Sequence, residues 1–227
     1  MRNKKIKNRV KVRKFTLIEL VSVIIIMAFV MAIGIPAFSG MFKGQAVGNS
    51  TTSVAQLLKL SRNYSIANHA YIAVVIPQKG HPTSGIPDRY YNTAMRPAVV
   101  KPDGNGKFKF YKWVDGESWT FLQPGTAILE ADNDDTPIGS HPSVGYCPIV
   151  NEVDCSDISD SGSSKKINNM TAIVFRYNGH AYPENGKNYT IEVGRGVVTP
   201  NGVKILSEGE PMKIEVSTST GMIYIDK

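Results

Sequence analysis

Lys14-Phe15-Thr16-Leu17-Ile18-Glu19-Leu20-Val21-Ser22-Val23-Ile24-Ile25-Ile26-Met27-Ala28-Phe29-Val30-Met31-Ala32-Ile33 is the stretch on which the reading of this chain turns. From Leu20 to Ile33 it carries no charge and one hydroxyl, Ser22. Apolar residues surround the whole helical circumference, which argues against the one-sided core helix of a soluble protein. The run continues through Gly34 to Pro36, Ala37 and Phe38 and so reaches the ~20 residues that cross a bilayer. It does not end at the A-x-A site of an ordinary secretory signal, so it reads as a retained anchor.

Working outward, the charge balance supports the same topology. The 227-residue chain has a net charge of +7 and 42% hydrophobic residues. Arg2, Lys4, Lys5, Lys7, Arg9, Lys11, Arg13 and Lys14 place eight positive charges, and no acid, in the first fourteen residues, which leaves a net −1 from Phe15 onward. A basic run ahead of an apolar span holds the N-terminus on the cytoplasmic side. The basicity thus belongs to the leader, and the body is not expected to bind nucleic acid.

Glu19 is the anomaly. An ionised carboxylate in an apolar span costs roughly 2.5–3.5 kcal/mol, so it needs a partner or a shallow position. Interfacial snorkelling is one explanation, because Glu19 is only the fifth residue from Phe15. The other is cleavage between Lys14 and Phe15, which creates a new amine. Within one helix that amine lies more than a turn from Glu19, but an axially shifted neighbouring subunit can bring its own amine alongside. Correct stagger then neutralises the charge, and wrong stagger leaves it unpaired.

Beyond the span, Gly34, Pro36, Gly40, Gly44 and Gly48 favour a bend or local melting. Over residues 50–70, Val54, Leu57, Leu58, Leu60, Tyr64, Ile66 and Ala67 recur at near-helical spacing and predict an amphipathic helix with an apolar face set to cover a sheet. Strands are predicted over 71–76, 107–114, 118–122, 127–130, 172–177, 190–193, 212–217 and 222–225, punctuated by Gly and Pro as in antiparallel sheet. The polar stretch 131–169 reads as a long surface insertion. The expected organisation is a basic leader (1–14), a transmembrane helix (15–42), its amphipathic continuation (43–70) and an antiparallel β domain (71–227).

Lys14-Phe15-Thr16-Leu17-Ile18-Glu19-Leu20 and the apolar residues after it closely resemble the processing and methylation motif of type IV prepilins and pseudopilins. The resemblance implies that a prepilin peptidase cuts between Lys14 and Phe15, that Phe15 is N-methylated, and that Glu19 serves in assembly. The family normally has glycine where this chain has Lys14. Downstream, Ser61 to Asn68, Trp119 to Gly125, Ile173 to Gly179 and Ile214 to Ile223 occur in an order similar to the GspH/FimT class of minor pseudopilins. That class implies an α+β, pilin-like fold: a long N-terminal transmembrane helix packed by its C-terminal half on an antiparallel sheet domain. It also implies inner-membrane localisation, with the globular domain outside the cytoplasm. The implied partners are other pilins or pseudopilins, the peptidase/methyltransferase, the inner-membrane assembly platform and the lipid bilayer.

The remaining chemistry is sparse. Cys147 and Cys155 would close a small disulfide loop if exported, or remain free thiols. Asp132, Asp134 and Asp135 line up oxygen ligands, but without the alternation and glycine of an EF-hand loop they read as a solvated acidic loop and a weak calcium candidate. His69, His81, His141 and His180 have no zinc spacing, and no nucleophile elbow, P-loop or dinucleotide fingerprint occurs. No enzyme activity and no cofactor are expected. The leading expectation is a structural subunit of a type II secretion pseudopilus or type IV pilus. Two alternatives stand beside it: a DNA-uptake minor pilin, which needs Lys165, Lys166, Arg176, Lys187 and Arg195 to cluster, and an unprocessed single-pass anchored recognition protein.

Overall fold

The structure, a computed structural model, describes residues 16–78, 86–104, 107–133, 149–158, 166–168, 170–182, 188–199, 202–206 and 210–226, with the backbone alone at 33–43, 130–133, 149, 198, 202–203 and 205. Helix α1 runs Leu17–Ala67. The chain separates into two compact units, Met1–Lys43 and Gly44–Lys227, so α1 is shared between them.

In the first unit every large apolar side chain from Leu17 to Met31 is at least 42% exposed. None of them is buried, as expected of a helix that is apolar all round and not packed on one side only. Among the described residues, no helix is long and apolar enough to cross a membrane.

The second unit is mostly sheet. Its strands are β1 (Tyr71–Ile76), β2 (Ala94–Pro102), β3 (Phe108–Trp113), β4 (Thr120–Phe121), β5 (Thr126–Asn133), β6 (Ile149–Asn151), β7 (Val153–Asp154), β8 (Lys166–Ile167), β9 (Met170–Phe175), β10 (Ala181–Tyr182), β11 (Asn188–Thr199), β12 (Gly202–Ile205), β13 (Met212–Ser217) and β14 (Ile223–Asp226). Pairing runs β1–β2–β3–β6–β9 and returns from β9 to β1, so five strands close into a small barrel. The closing pair β3–β6 is parallel, Phe108 opposite Val150 and Lys109 opposite Asn151. A second sheet is built on β11, which pairs with β5, β13 and β12, with β14 beside β13.

Alternating side chains divide β1 and β9 between two cores. Ala73, Val75, Ala172 and Val174 join Val100, Phe108, Val150 and Met170 in one, capped by Val153, Cys155, Ile158 and Ile167. Val74, Ile76, Ile173 and Phe175 join the other, with Leu58 of α1 and Ile128, Ile191 and Ile214 of the second sheet. Burial on both faces explains why the two strands are continuous apolar runs and not alternating ones. A five-stranded barrel has an interior that side chains alone can fill.

The α+β architecture expected from sequence, one long transmembrane helix packed on a single antiparallel sheet, is therefore overturned. The placed side chains of α1 fall in two stretches of 16 and 24 residues, one in each unit. What the second stretch meets is a closed barrel with a parallel pair and a second sheet. The physical reason lies in residues 149–151, which supply the strand that closes the ring. They sit inside the segment read as a polar insertion, where Val150, Val153, Cys155, Ile158 and Ile167 are in fact buried.

The buried stripe of α1 also differs from the expected apolar face. It holds Val47, Val54, Ala55, Leu57 and Leu58 together with Ser50, Thr51, Ser61 and Ser65, whereas Leu60 and Ile66 are each 39% exposed. The hydroxyls of Thr51 and Ser61 donate back to the carbonyls of Val47 and Leu57, each at 2.8 Å, so they are buried without an unmet donor. Small residues on this stripe let the sheet strands approach the helix backbone closely. Ser61→Leu, which improves the apolar pattern, is expected to destabilise the protein by about 1–3 kcal/mol through overpacking, read as a lower denaturant midpoint.

Candidate functional site

At its start α1 forms a capping box. Thr16 precedes the first helical residue, its backbone N–H donates to Glu19 Oε2 at 2.8 Å, and its hydroxyl donates to the same oxygen at 2.8 Å. The Glu19 N–H in turn points to Thr16 Oγ1 at 3.4 Å. Thr-x-x-Glu is the sequence form of this reciprocal cap, which satisfies two of the donors that a helix start leaves orphaned. The sequence reading passed over that signal because the membrane cost of the charge dominated it. Lys14 and Phe15, the expected cleavage and methylation residues, lie outside the described residues. The carboxylate thus heads an exposed apolar surface and is held by the two donors of Thr16.

The other candidates that are described do not come together into a site. Cys147 lies outside the described residues. Cys155 is a buried thiol, 1% exposed, and burial pushes it from 9.0 up to about 12, with Asp157 and Asp154 adding to the rise. Asp132 sits in β5 opposite Thr190, while Asp134 and Asp135 lie outside the described residues. Among the described residues, no group of three or more His, Cys, Asp or Glu is placed to hold a metal ion. A shallow groove of about 600 Å³ between Lys59, Leu60 and Tyr64 of α1 and the turn from Val114 to Glu117 has no Ser, Cys or His in its lining.

Of the five cations needed for a phosphate-gripping patch, the three that are described have separate partners. Lys166 pairs with Glu152 at 3.5 Å, and Lys165 and Lys187 lie outside the described residues. Arg176 stacks 5.1 Å from the Tyr182 ring centroid. Arg195 is opposite Thr126, near the other end of the second sheet.

Two clusters that the sequence did not announce are well built. Arg96 lies 4.5 Å from the Trp113 ring centroid, donates to the Glu117 carbonyl at 3.0 Å and pairs with Asp157 at 2.7 Å. Asp157 also accepts from Trp119 Nε1 at 3.3 Å, and the two Trp centroids are 5.3 Å apart. Arg96 and Asp157 are 61 residues apart in sequence, so no local pattern could pair them.

The second cluster is a joint. Arg62 donates to the carbonyls of Gly179 and Thr220, each at 3.0 Å, and the Ser65 hydroxyl donates to the Arg176 carbonyl at 2.9 Å. Three of the four downstream pieces that carried the family resemblance meet here. The contact requires glycine at Gly221, where φ is +64° and an added Cβ would lie 1.8 Å from the Gly179 carbonyl oxygen.

No family model matches the chain, and no curated protein matches it. Among solved structures the chain is similar to a crystal structure of the type IV minor pilin FimU of Pseudomonas aeruginosa, with a TM-score of 0.43 and 10% identity over 82% of this chain and 92% of that one. Likeness at that level assigns neither family nor function.

Gly221→Ala should cost at least about 1–3 kcal/mol for its left-handed backbone alone, measured by thermal or denaturant unfolding. The raised Cys155 thiol favours folding while it stays neutral. Its contribution is complete below the unfolded pKa and is lost as pH rises from about 9 towards about 12. The stability difference between the native chain and Cys155→Ala should narrow over that window, and native Cys155 should resist alkylation that the unfolded chain accepts.

Proposed function

We propose that this protein is a structural subunit of the minor pilin or pseudopilin kind. Residues 15–42 anchor it in the inner membrane and the second unit stands outside the cytoplasm. It joins a filament of a secretion or pilus machine through its N-terminal helix. The observation that carries the reading is the head of α1: a lone carboxylate, Glu19, in front of a helix whose apolar side chains from Leu17 to Met31 are all exposed. Apolar surface of that extent is not left in water by a stable soluble protein. Lipid, or the packed helices of other subunits, would cover it.

In this reading Glu19 has two successive partners. Before assembly the donors of Thr16 hold the carboxylate, which lowers the cost of placing it at the lipid boundary. In the filament, the amine freed at Phe15 of another subunit supplies the opposite charge. Prepilin peptidase/methyltransferase and the assembly platform are the partners the mechanism needs. The role is architectural and uses no catalytic step.

The test is the mature terminus. Mass spectrometry of the membrane-derived protein should give an N-terminus at Phe15, N-methylated, and Lys14→Gly should be processed at least as fast as the natural chain. An intact leader in assembled fibres, or a terminus elsewhere, would defeat the reading.

A further inference from the structure

β6 is the most lightly bonded strand of the barrel wall. It makes two residue pairs with β3 and two with β9, and the pairing with β3 is parallel, the weaker kind per residue. β1, by contrast, makes five pairs on each side. Four side chains of residues 149–158, Val150, Val153, Cys155 and Ile158, are buried in the barrel core, and none of them belongs to the core that α1 and the second sheet share. At the bend between β6 and β7, Glu152 has φ +57°, a left-handed backbone that a non-glycine residue holds at a cost and sheds on release.

Polar contacts tie the same residues to β2, β3 and Trp119. Glu152 pairs with Lys109 at 2.8 Å, Trp113 Nε1 donates to the Asp154 carbonyl at 3.0 Å, and Asp157 pairs with Arg96 at 2.7 Å and accepts from Trp119 Nε1 at 3.3 Å. Arg96 is already fixed before it meets Asp157, by the Trp113 ring at 4.5 Å and the Glu117 carbonyl at 3.0 Å. A preset guanidinium loses little freedom on pairing, so this bridge holds better than an ordinary surface pair. The Asp157 side chain is 43% exposed, so dissolved ions reach the pair and weaken it.

We propose that residues 149–158 form a strap that leaves the barrel as one body while the rest of the second unit stays folded, with Arg96 and Asp157 as its latch. A contiguous segment opens below the cost of global unfolding when few contacts cross its boundary. Here the second core is untouched by the departure, and β8, whose two residues pair with β7, goes with the strap. The open state uncovers the Cys155 thiol, the edges of β3 and β9, and the buried side chains of Phe108 and Met170.

Cys155 reports the opening. The full-length chain carrying Cys147→Ser, which leaves Cys155 as the single thiol, is held in detergent micelles and alkylated with iodoacetamide across a urea series below the unfolding midpoint, each rate taken relative to that of the unfolded chain. The strap predicts a urea dependence well below that of global unfolding, because the slope follows the surface exposed. Adding Asp157→Asn should raise the rate in the absence of urea about three- to tenfold. Adding Gly221→Ala instead, which weakens the Arg62 joint in the strap-open and the closed state alike, should lower the global midpoint and leave that rate unchanged. A urea dependence equal to that of global unfolding, or a Gly221→Ala rate that rises in step with lost global stability, overturns the strap, since Cys155 is then reached only when the whole unit melts. A rate unchanged by Asp157→Asn overturns the latch and with it the proposal. Should Asp157→Asn fail to fold, sodium chloride decides in its place: a rate that climbs several-fold with salt upholds the latch, and a constant one overturns it.

Discussion

The second unit depends on one strand having no free side. β1 is bonded along one edge to β2 and along the other to β9, and five of its six residues are fully buried. A strand in that position cannot tolerate a one-residue slip, because every side chain would change cores. Its neighbours inherit the constraint. β9 must divide its own side chains in step, β3 and β6 must close the ring, and α1 must come close enough to seal the outer core. That last demand explains why the helix buries serines and a threonine where a simple amphipathic pattern would place larger apolar groups. It also explains why the two turns locked by Arg62 pack with a glycine at their contact.

How much of this was legible depended on whether a residue's role was local. β1 and β13 occupy the segments that their composition predicts, 71–76 and 212–217. β2 was not legible, because Pro97 and Pro102, with Arg96 and Lys101, break the pattern of a strand interior. β6, β7 and β8 are two or three residues each, too short for any periodicity, and their apolar members are diluted in polar sequence. Ring closure by a parallel pair is a long-range event that no window of sequence contains. The burial of Thr51 and Ser61 was not legible for a related reason: their hydroxyls are satisfied by the helix's own backbone, so their polarity says little about exposure.

At the candidate site the balance is different. The apolar run and Glu19 stand out in the sequence, whereas the Thr16–Glu19 capping spacing, though local, is masked there by the membrane cost of the charge. The Arg96–Asp157–Trp119 cluster and the Arg62 joint were invisible, since each draws on segments far apart in the chain. Both stabilise the second unit and give no indication of chemistry.

The chain thus disposes of its apolar surface in two ways. One part is consumed by the two cores of the second unit, while the other, from Leu17 to Met31, is exposed, with a carboxylate at its head. The account holds that the charge of Glu19, and not merely its cap on the helix, directs subunits into register. Comparing how much of the natural chain, Glu19→Gln and Glu19→Ala enters sheared fibres separates the two roles, because glutamine can still accept the hydrogen bonds of Thr16. The account predicts that both variants lose incorporation alike. Normal incorporation of Glu19→Gln would show that capping suffices, and would contradict the pairing of Glu19 with another subunit's terminus.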